Sequence, residues 1–242
     1  MSQGSRARQA LCTNPQWLGR ADCMRCGVRD SMLFSGLQAN DFAELLAPID
    51  NLRYAPNTVF YRQDERGENV YSIRRGLVKL VQHLPEGGQR TVRVLGPGAI
   101  VGLEALLGHP YRHTVIALQS VDVCRITVAT LRQLEARHPW LSERIMAHWE
   151  DHLRLADRWI SELSSGPVRI RVAGLLLLML ELVGDERATL KLLSYEDMAS
   201  IVGTSRETFT RAISQLRDEG IVRRAGPART LQCDVAALQQ IA

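Results

Sequence analysis

Residues 194–222 read SYEDMASIVGTSRETFTRAISQLRDEGIV, and they decide the fold of the C-terminal third of this 242-residue chain. Ser194 is a good helix N-cap, and Asp197 stands at the third helical position, as the acid of a capping box does. Gly203 then allows the tight turn that joins two short helices. The pattern predicts a helix-turn-helix.

The second helix of this pair has one apolar and one polar face. Thr204 or Ser205 caps it, and we expect it to end near Asp218. Spacings of four and three residues turn its apolar side chains toward the core: Phe209, Ile213 and Leu216. The opposite side then presents Arg206, Glu207, Thr210, Arg211 and Ser214.

These outward side chains have the chemistry that reads base edges in DNA. Arginine donates a bidentate pair to guanine and glutamate accepts from the cytosine amino group, and each good pair contributes ~1–3 kcal/mol of discrimination. The capping hydroxyls and the free N–H groups of the first turn can donate hydrogen bonds to a phosphate of the DNA backbone. A solvated helix face with an ordinary ion pair from Glu207 to Arg211 is the alternative interpretation.

The residues that follow the second helix favour DNA over that alternative. IVRRAGPARTLQC, residues 221–233, predicts a two-stranded wing that carries Arg223, Arg224 and Arg229. From Arg187 to the end the chain has eight Lys and Arg against six Asp and Glu, so positive charge is local to this face. The net charge of +4 for the whole chain permits a polyanionic partner without requiring one.

Residues 51–126 have a different pattern of residue types. Short runs rich in β-branched residues alternate with turn formers such as GluGlyGly at 86–88 and GlyProGly at 96–98. Strands at ~8–12-residue spacing are typical of an antiparallel barrel or sandwich. We therefore expect a β-barrel or jelly roll before the helical half of the chain.

A long helix is predicted from about Val128 to Ser165, with a break at His138-Pro139 and an end at Gly166-Pro167. Apolar residues recur along it at three and four residues, as in a coiled-coil seam. We expect a second copy of the chain to cover this seam, although packing on the barrel is the alternative. The predicted seam residues are Leu141, Ile145, Trp149, Leu153 and Ile160.

The first 35 residues are polar and irregular, and they hold three of the five cysteines. The basic start lacks the apolar run of a secretory signal, so we expect a cytoplasmic protein. The most apolar stretch, residues 172–183, is too short for a membrane span of ~20 residues and contains Glu181. In a reducing compartment, well-placed cysteines are more often metal ligands or redox centres than disulfides.

Taken in order, these features resemble the CRP/FNR superfamily of bacterial transcription regulators over nearly the whole chain. ENVYSIRRGLVKLVQH is similar to the family's barrel motif, GPGAIVGLEALLG to its second glycine-rich turn, and GTSRETFTRAISQLRDEGIV to its recognition helix. The resemblance implies an α+β protein with a cyclic-nucleotide-binding-like jelly roll, a dimerisation helix and a winged helix-turn-helix. The expected segments are 1–35 with the cysteines, 36–127 for the barrel, 128–165 for the helix and 166–242 for the DNA-binding domain.

The resemblance also implies a homodimer on a palindromic operator in double-stranded DNA, with RNA polymerase as a further partner. Arg206, Glu207 and Arg211 occupy the reading positions of the CRP branch, whereas Glu207, Thr210 and Arg211 match those of the FNR branch. This hybrid predicts a half-site containing TGA with Arg211 on its guanine. The predicted DNA-binding residues are Thr204, Ser205, Arg206, Glu207, Thr210 and Arg211.

The signal that such a regulator senses depends on two sites. The CRP branch binds a cyclic phosphate with Gly-Glu and Arg-Ser pairs, but here Gly102 is followed by Leu103 and Arg112 by His113, which makes cAMP an improbable effector. The FNR branch holds an oxygen-sensing [4Fe–4S] cluster on four cysteines, and the matching set here is Cys12, Cys23, Cys26 and Cys124.

The match to the FNR pattern departs at one point. The family's third N-terminal cysteine, after the C-x-x-C pair, is missing from GVRDSMLF, so Cys12 takes its place in the predicted set. C-x-x-C alone would equally suit zinc or a dithiol, and a buried packing role would explain Cys124. Cys233 is expected to be a packing residue of the wing.

Three other functions remain open on the sequence. A haem or nitric-oxide sensor, or a regulator with a small-molecule effector, would use the same scaffold. A cupin-like metal enzyme built on His83, His109 and His113 is the alternative from another class, although these histidines lack the spacing of a metal triad.

Overall fold

The computed structural model describes residues 14–26, 33–43, 48–226 and 229–242. Its N-terminal half is two antiparallel sheets packed face to face. The five-stranded sheet has the order β1 (Gln16–Arg20), β2 (Asp50–Tyr54), β9 (Val121–Thr127), β4 (Asn69–Arg75) and β7 (Ile100–Val101). The four-stranded sheet has the order β3 (Val59–Tyr61), β8 (Thr114–Ala117), β5 (Val78–His83) and β6 (Gln89–Leu95).

Apolar and aromatic side chains from both sheets form one core between them, with Ile73 and Val123 from one sheet and Leu80 and Val115 from the other. The predicted jelly roll is thereby confirmed. In the described residues the strands form two separate hydrogen-bonded sheets rather than one closed cylinder. Gly76 makes the close turn between β4 and β5: its φ is +90°, and a Cβ there would lie 2.5 Å from the Ser120 carbonyl oxygen.

Two helices follow the last barrel strand. The first, α2 (Val128–Arg137), begins at Thr127, whose hydroxyl accepts from the Thr130 N–H at 3.1 Å. The second, α3 (Trp140–Arg158), starts after the predicted break at His138-Pro139 and continues as a π-helical turn over Trp159–Leu163. Gly166 and Pro167 then end the helix, as predicted.

The segment between the cysteines and the barrel differs from its prediction. The spacing of Leu33, Leu37 and Phe42 predicts an amphipathic helix over residues 33–47, but Leu33 to Gly36 form a turn. Helix α1 is described over Ala39–Ala43, and residues 44–47 lie outside the described residues. Gly36 lies against the ring of Trp140, where a Cβ would be 2.8 Å from the nearest ring carbon. Tertiary packing on α3 therefore overrides the helical periodicity here.

The C-terminal domain is built on the apolar helix α4 (Val168–Val183), whose residues 172–176 are all buried. No helix in the described ranges is long and apolar enough to cross a membrane. The remaining elements are β10 (Thr189–Lys191), α5 (Tyr195–Ile201), α6 (Arg206–Asp218), β11 (Val222–Arg224), β12 (Thr230–Cys233) and α7 (Val235–Ile241). The three strands form one antiparallel sheet in the order β10, β12, β11.

The two halves of the molecule share a core. Leu77, Val94 and Leu118 of the jelly roll belong to the same buried cluster as α4 and Phe209 of α6. An ion pair crosses the same boundary, with Lys79 Nζ of β5 3.3 Å from the Asp197 carboxylate of α5. The C-terminal domain is therefore docked on the four-stranded sheet.

Candidate nucleic-acid interface and cysteine cavity

The helix-turn-helix is formed by α5 and α6. Ser194 caps α5 by accepting from the Asp197 N–H at 3.0 Å, and its own hydroxyl donates to the Asp197 carboxylate at 2.5 Å. Gly203 has a φ of +64° in the turn. Ser205 caps α6 by accepting from the Thr208 N–H at 3.2 Å.

Helix α6 separates its faces as its sequence predicts. Phe209, Ile213 and Leu216 are buried, and Ala212 joins them. Ser205, Arg206, Glu207, Thr210 and Arg211 are exposed, whereas Thr204 and Ser214 are half-buried. The exposed residues occupy the first two turns of one helix face, so a single surface presents them together.

The ionisation and hydrogen bonding of the side chains on this face follow from their neighbours. The pKa of Glu207 is lowered by hydrogen bonds from its own backbone N–H and from the Ser205 hydroxyl, and then by Arg206, so the carboxylate is ionised at neutral pH. Thr210 donates its hydroxyl proton to the Arg206 carbonyl at 2.7 Å, so its oxygen can serve a further partner only as an acceptor. Glu207 is thus a pure acceptor, and the two arginines beside it are donors.

The predicted wing is present as β11 and β12. Arg223 and Arg224 of β11 are exposed, and so is Arg229, which has a φ of +63° at the end of the connecting turn. Residues 227 and 228 lie outside the described residues. Strand β10 pairs with β12 and adds a third strand, whereas the predicted wing had two.

The three described cysteines of the predicted metal set converge on one cavity. Strand β1 pairs with β2 through Arg20 and Asp50, and this pairing brings the following 3₁₀ turn, Cys23–Arg25, over the sheet. Cys124 of β9 rises from the sheet beneath it. The free volume inside this cavity is about 20 Å³, and its lining residues are Ala21, Asp22, Cys23, Cys26, Leu33, Phe34, Asn51, Ser72, Arg74, Cys124 and Ile126.

Register explains which side chains surround Cys124. Asn51 of β2 is its direct cross-strand partner on one side, and Ser72 of β4 is its partner on the other. The Cys124 thiol donates to Asn51 Oδ1 at 3.4 Å, and Arg74 donates to the same oxygen at 3.0 Å. None of these three polar neighbours was predicted, because strand register cannot be read from a single sequence.

Burial sets the chemistry of Cys124. It raises the pKa of this thiol to about 12, the Cys23 and Cys26 thiols raise it further, and the Arg74 guanidinium opposes them. Cys124 is thus a thiol at neutral pH, and any metal that it binds must displace a proton. Cys23, Cys26 and Cys124 carry no disulfide.

The donors fit an iron–sulfur group in kind, because such clusters are held by cysteine thiolates and three thiols line one largely apolar cavity. Cys12, the fourth predicted ligand, lies outside the described residues. Within residues 14–26, 33–43, 48–226 and 229–242, no three His, Cys, Asp or Glu side chains are close enough together to hold a metal ion. The described thiols therefore do not form a preassembled metal site.

The three histidines of the cupin-like alternative do not form a metal-binding cluster in the described part of the chain. His83 and His109 are exposed, and His83 meets the Thr114 hydroxyl at 3.1 Å. Burial, with Arg93 nearby, lowers the pKa of His113 to about 4, so it is neutral at physiological pH.

The region that corresponds to a cyclic-nucleotide site is occupied by the chain's own contacts. The buried Glu104 carboxylate accepts from the Arg112 backbone N–H at 2.9 Å, and the Arg112 side chain is exposed. Arg93 donates to the His152 carbonyl of α3 at 3.1 Å. Within this region, the half-buried Arg93 therefore joins the sheet to α3.

The residues of the predicted dimer seam differ in their exposure to solvent. Leu141 and Ile145 are 0% and 7% exposed and pack in the core beneath the cysteine cavity, so their assignment to the seam is corrected. Leu153 and Ile160 are each 66% exposed, and Trp149 is half-buried. Met146, which the prediction omitted, is 69% exposed.

The available seam is thus Met146, Trp149, Leu153, Ala156 and Ile160, at alternating spacings of three and four residues. It begins one turn later than predicted because Leu141 and Ile145 are buried in the core. We call these five residues the α3 seam.

Comparison with known proteins matches each half of the chain to a domain family. Residues 51–138 match the cyclic nucleotide-binding domain, and residues 170–241 match the Crp-like helix-turn-helix domain. The transcriptional regulator LdrP of Thermus thermophilus is 30% identical over 194 residues, which are 78% of this chain and 94% of the relative. The cyclic AMP receptor protein of the same species is 29% identical over 216 residues, 89% of this chain and 98% of the relative.

The solved structure of FixK2 from Bradyrhizobium japonicum has a similar fold. It superposes with a TM-score of 0.72 at 25% identity and covers 80% of this chain and 96% of its own. The likeness therefore extends over nearly the full length of FixK2.

Proposed function

The chain belongs to the CRP/FNR family of transcription regulators, and from this premise we propose that it reads a palindromic operator with α6 and senses oxygen or redox state at its cysteine cavity. Regulators of this family bind DNA and act as dimers, and they are not enzymes. The cupin-like alternative is therefore rejected.

The exposed face of α6 supports the DNA-reading part of the proposal. Arg211 is assigned to the guanine of a TGA half-site, Glu207 to a cytosine amino group and Arg206 to the outer bases. Ser205 and Thr204 lie at the helix N-terminus, where N–H groups and hydroxyls suit phosphate. In a two-fold dimer the second recognition helix would read the other half-site, about 34 Å away along the duplex.

One observation carries the sensor part: Cys124 lies 98 residues after Cys26 in the chain, yet it lines the same cavity as Cys23 and Cys26. We assign the cluster ligands to these three residues and Cys12. When bound, a [4Fe–4S] cluster would supply one-electron redox chemistry and sensitivity to oxygen. The chain's own contribution is to gather the thiols, exclude water with Leu33 and Phe34, and place Arg74 beside the incoming negative charge.

The cavity is in contact with the helix that carries the α3 seam. Cys124, Leu33 and Phe34 belong to the same buried cluster as Leu141 and Ile145, which lie in the first turns of α3. A movement of the cysteine segment against β9 must therefore repack the start of α3. This contact is the physical route by which we propose that the cavity influences dimerisation and DNA affinity.

The sensor proposal is tested by purifying the full chain without oxygen. We expect a brown protein with visible absorbance that decays in air and that is absent from Cys23→Ala. Cys233→Ala is the matched control, because this buried wing cysteine lies outside the cavity and should leave the colour unchanged. A colourless anaerobic protein with full DNA affinity would overturn the sensor proposal and leave the regulator intact.

A Soret band in place of the cluster absorbance would instead identify a haem sensor. Cyclic AMP remains the other effector suggested by the relatives. We propose that it is not the signal, because Glu104 is engaged by the Arg112 backbone and Arg93 by His152.

A further inference from the structure

We propose that Arg171 of α4 binds a phosphate of the DNA backbone beside the N-terminus of α6, and that it extends the DNA-binding surface beyond the helix-turn-helix. The inference rests on the DNA-reading part of the proposed function and deepens it. It depends neither on the cysteine cavity nor on the base sequence of the half-site, because a phosphate contact carries no sequence information.

Arg171 is a cation without an acceptor. It lies at the end of the first turn of α4, its side chain is half-buried, and its Nε atom is buried without a hydrogen-bond partner. No carboxylate in the part of the chain that the structure describes pairs with it. Arg169, two residues earlier, is by contrast paired with Glu219. Because a guanidinium has five N–H donors and a permanent charge, Arg171 is suited to an anion from outside the chain.

The Arg171 guanidinium lies beside the turn of the helix-turn-helix. A Cβ built on Gly203 would be 3.9 Å from the Nη1 atom of Arg171. Gly203 is exposed, and it precedes Ser205, the cap of α6, by two residues. The unpaired cation of α4 and the N-terminus of the recognition helix therefore lie at the same end of α6.

This end of α6 has the electrostatics of a phosphate site only if a cation assists it. A helix N-terminus offers N–H groups and a partial positive charge, which favour an anion. The first turn of α6 also carries the Glu207 carboxylate, which repels one. Arg171 would supply a full positive charge from a neighbouring helix, and a guanidinium binds phosphate oxygens in pairs.

A phosphate-binding role and a purely structural role predict different results for the free protein. If Arg171 only supported the turn, its replacement would lower the stability of the fold and leave the salt dependence of DNA binding unchanged. If it waits for a phosphate, its replacement by an apolar side chain removes a partly buried donor that has no partner, which does not destabilise the free chain. DNA affinity and its salt dependence would then fall without a loss of stability.

The test uses the full chain purified without oxygen, as wild type and as Arg171→Gln, Arg171→Met and Arg171→Lys. Fluorescence anisotropy titrations on a TGA-containing operator and on a scrambled duplex are repeated over a series of salt concentrations. We expect Arg171→Gln and Arg171→Met to weaken both duplexes by the same factor. The slope of log K against log salt should become shallower by about 0.9 for each protomer, or about 1.8 for a dimer. Arg171→Lys should keep the wild-type slope, because it keeps the charge.

Arg217→Gln is the matched control, because it removes the same charge from the exposed last turn of α6 and should leave the slope almost unchanged. Urea titration of Arg171→Met should give a midpoint no lower than that of the wild type. This variant also keeps the test decisive if Arg171→Gln fails to fold.

Three results would overturn the inference alone: a wild-type slope in the Arg171→Gln and Arg171→Met variants, a lower urea midpoint together with a wild-type slope, or equal slope changes in Arg171→Gln and Arg217→Gln. A wild-type chain that binds neither duplex would overturn the DNA-reading proposal as well. A wild-type chain that binds both duplexes equally, with the expected change of slope in the variants, would overturn the assignment of the bases and support the phosphate contact.

Discussion

At the scale of the residue, the structure distinguishes arginines that differ little in the sequence. Arg211 lies on the exposed face of α6 beside Thr210, in the second turn of the helix. Arg217 is also exposed, but it lies in the last turn and donates to Ser214 at 3.2 Å. Only the first of these positions is suited to base edges, because a recognition helix reads DNA with its N-terminal residues.

Arg211→Ala therefore should weaken binding to a TGA-containing operator by about 5–150-fold, the equivalent of ~1–3 kcal/mol for a bidentate pair with guanine. A gel-shift titration at fixed salt measures this loss. Arg217→Ala is the control, and it should weaken the operator and a scrambled duplex equally and slightly. Unchanged operator affinity in Arg211→Ala would show that another residue reads the guanine.

At the scale of the element, α3 serves two surfaces at once. Leu141 and Ile145 are buried beneath the cysteine cavity. Three large apolar side chains of the α3 seam, spaced seven residues apart, are exposed to solvent. The helix can do both because Leu141 and Ile145 lie on one face and the exposed side chains lie on the adjoining face. Trp149 stands between the two faces and packs against the same buried cluster as Leu141 and Ile145.

Leu153→Asp should convert the dimer to a monomer. Each dimer would lose two buried leucines, and at ~1.5 kcal/mol each the dissociation constant rises at least about 100-fold. Sedimentation or light scattering over a concentration series measures the change. Leu107→Asp is the control, since Leu107 is similarly exposed, at 63%, but belongs to a 3₁₀ turn of the jelly roll. A dimer that survives Leu153→Asp would place the interface elsewhere.

At the scale of the whole molecule, the DNA-binding domain is joined to the jelly-roll half by a shared core and by the Lys79–Asp197 pair. The two side chains are 15% and 23% exposed, so water screens their attraction only in part. Asp197 also accepts from Ser194, the cap of α5. The docking contact thus acts directly on the first helix of the helix-turn-helix.

A double-mutant cycle with Lys79→Met and Asp197→Asn should give a coupling of about 1 kcal/mol in the free energy of unfolding, measured by urea titration. The pair of Arg66 and Glu68 is the control. Its atoms are 3.8 Å apart with side chains 90% and 70% exposed, so its coupling should be close to zero. No coupling between Lys79 and Asp197 would mean that the domains are not docked in this way in solution.

The sequence alone determined the elements whose causes are local. The two caps of the helix-turn-helix, the turn at Gly203, the face of α6 and the break at His138-Pro139 all depend on neighbours within a few residues, and the structure confirms each. The family resemblance followed from the same local patterns.

Only the tertiary structure decided which distant residues meet. Leu141 and Ile145 have the spacing of a seam but lie in the core, because the turn at Leu33 and Phe34 packs against them. Asn51 and Arg74 entered the cysteine cavity through strand register, which depends on pairing across more than 70 residues between Asn51 and Cys124. Periodicity shows that a side is apolar, but the partner that covers it is chosen by the packing of the whole chain.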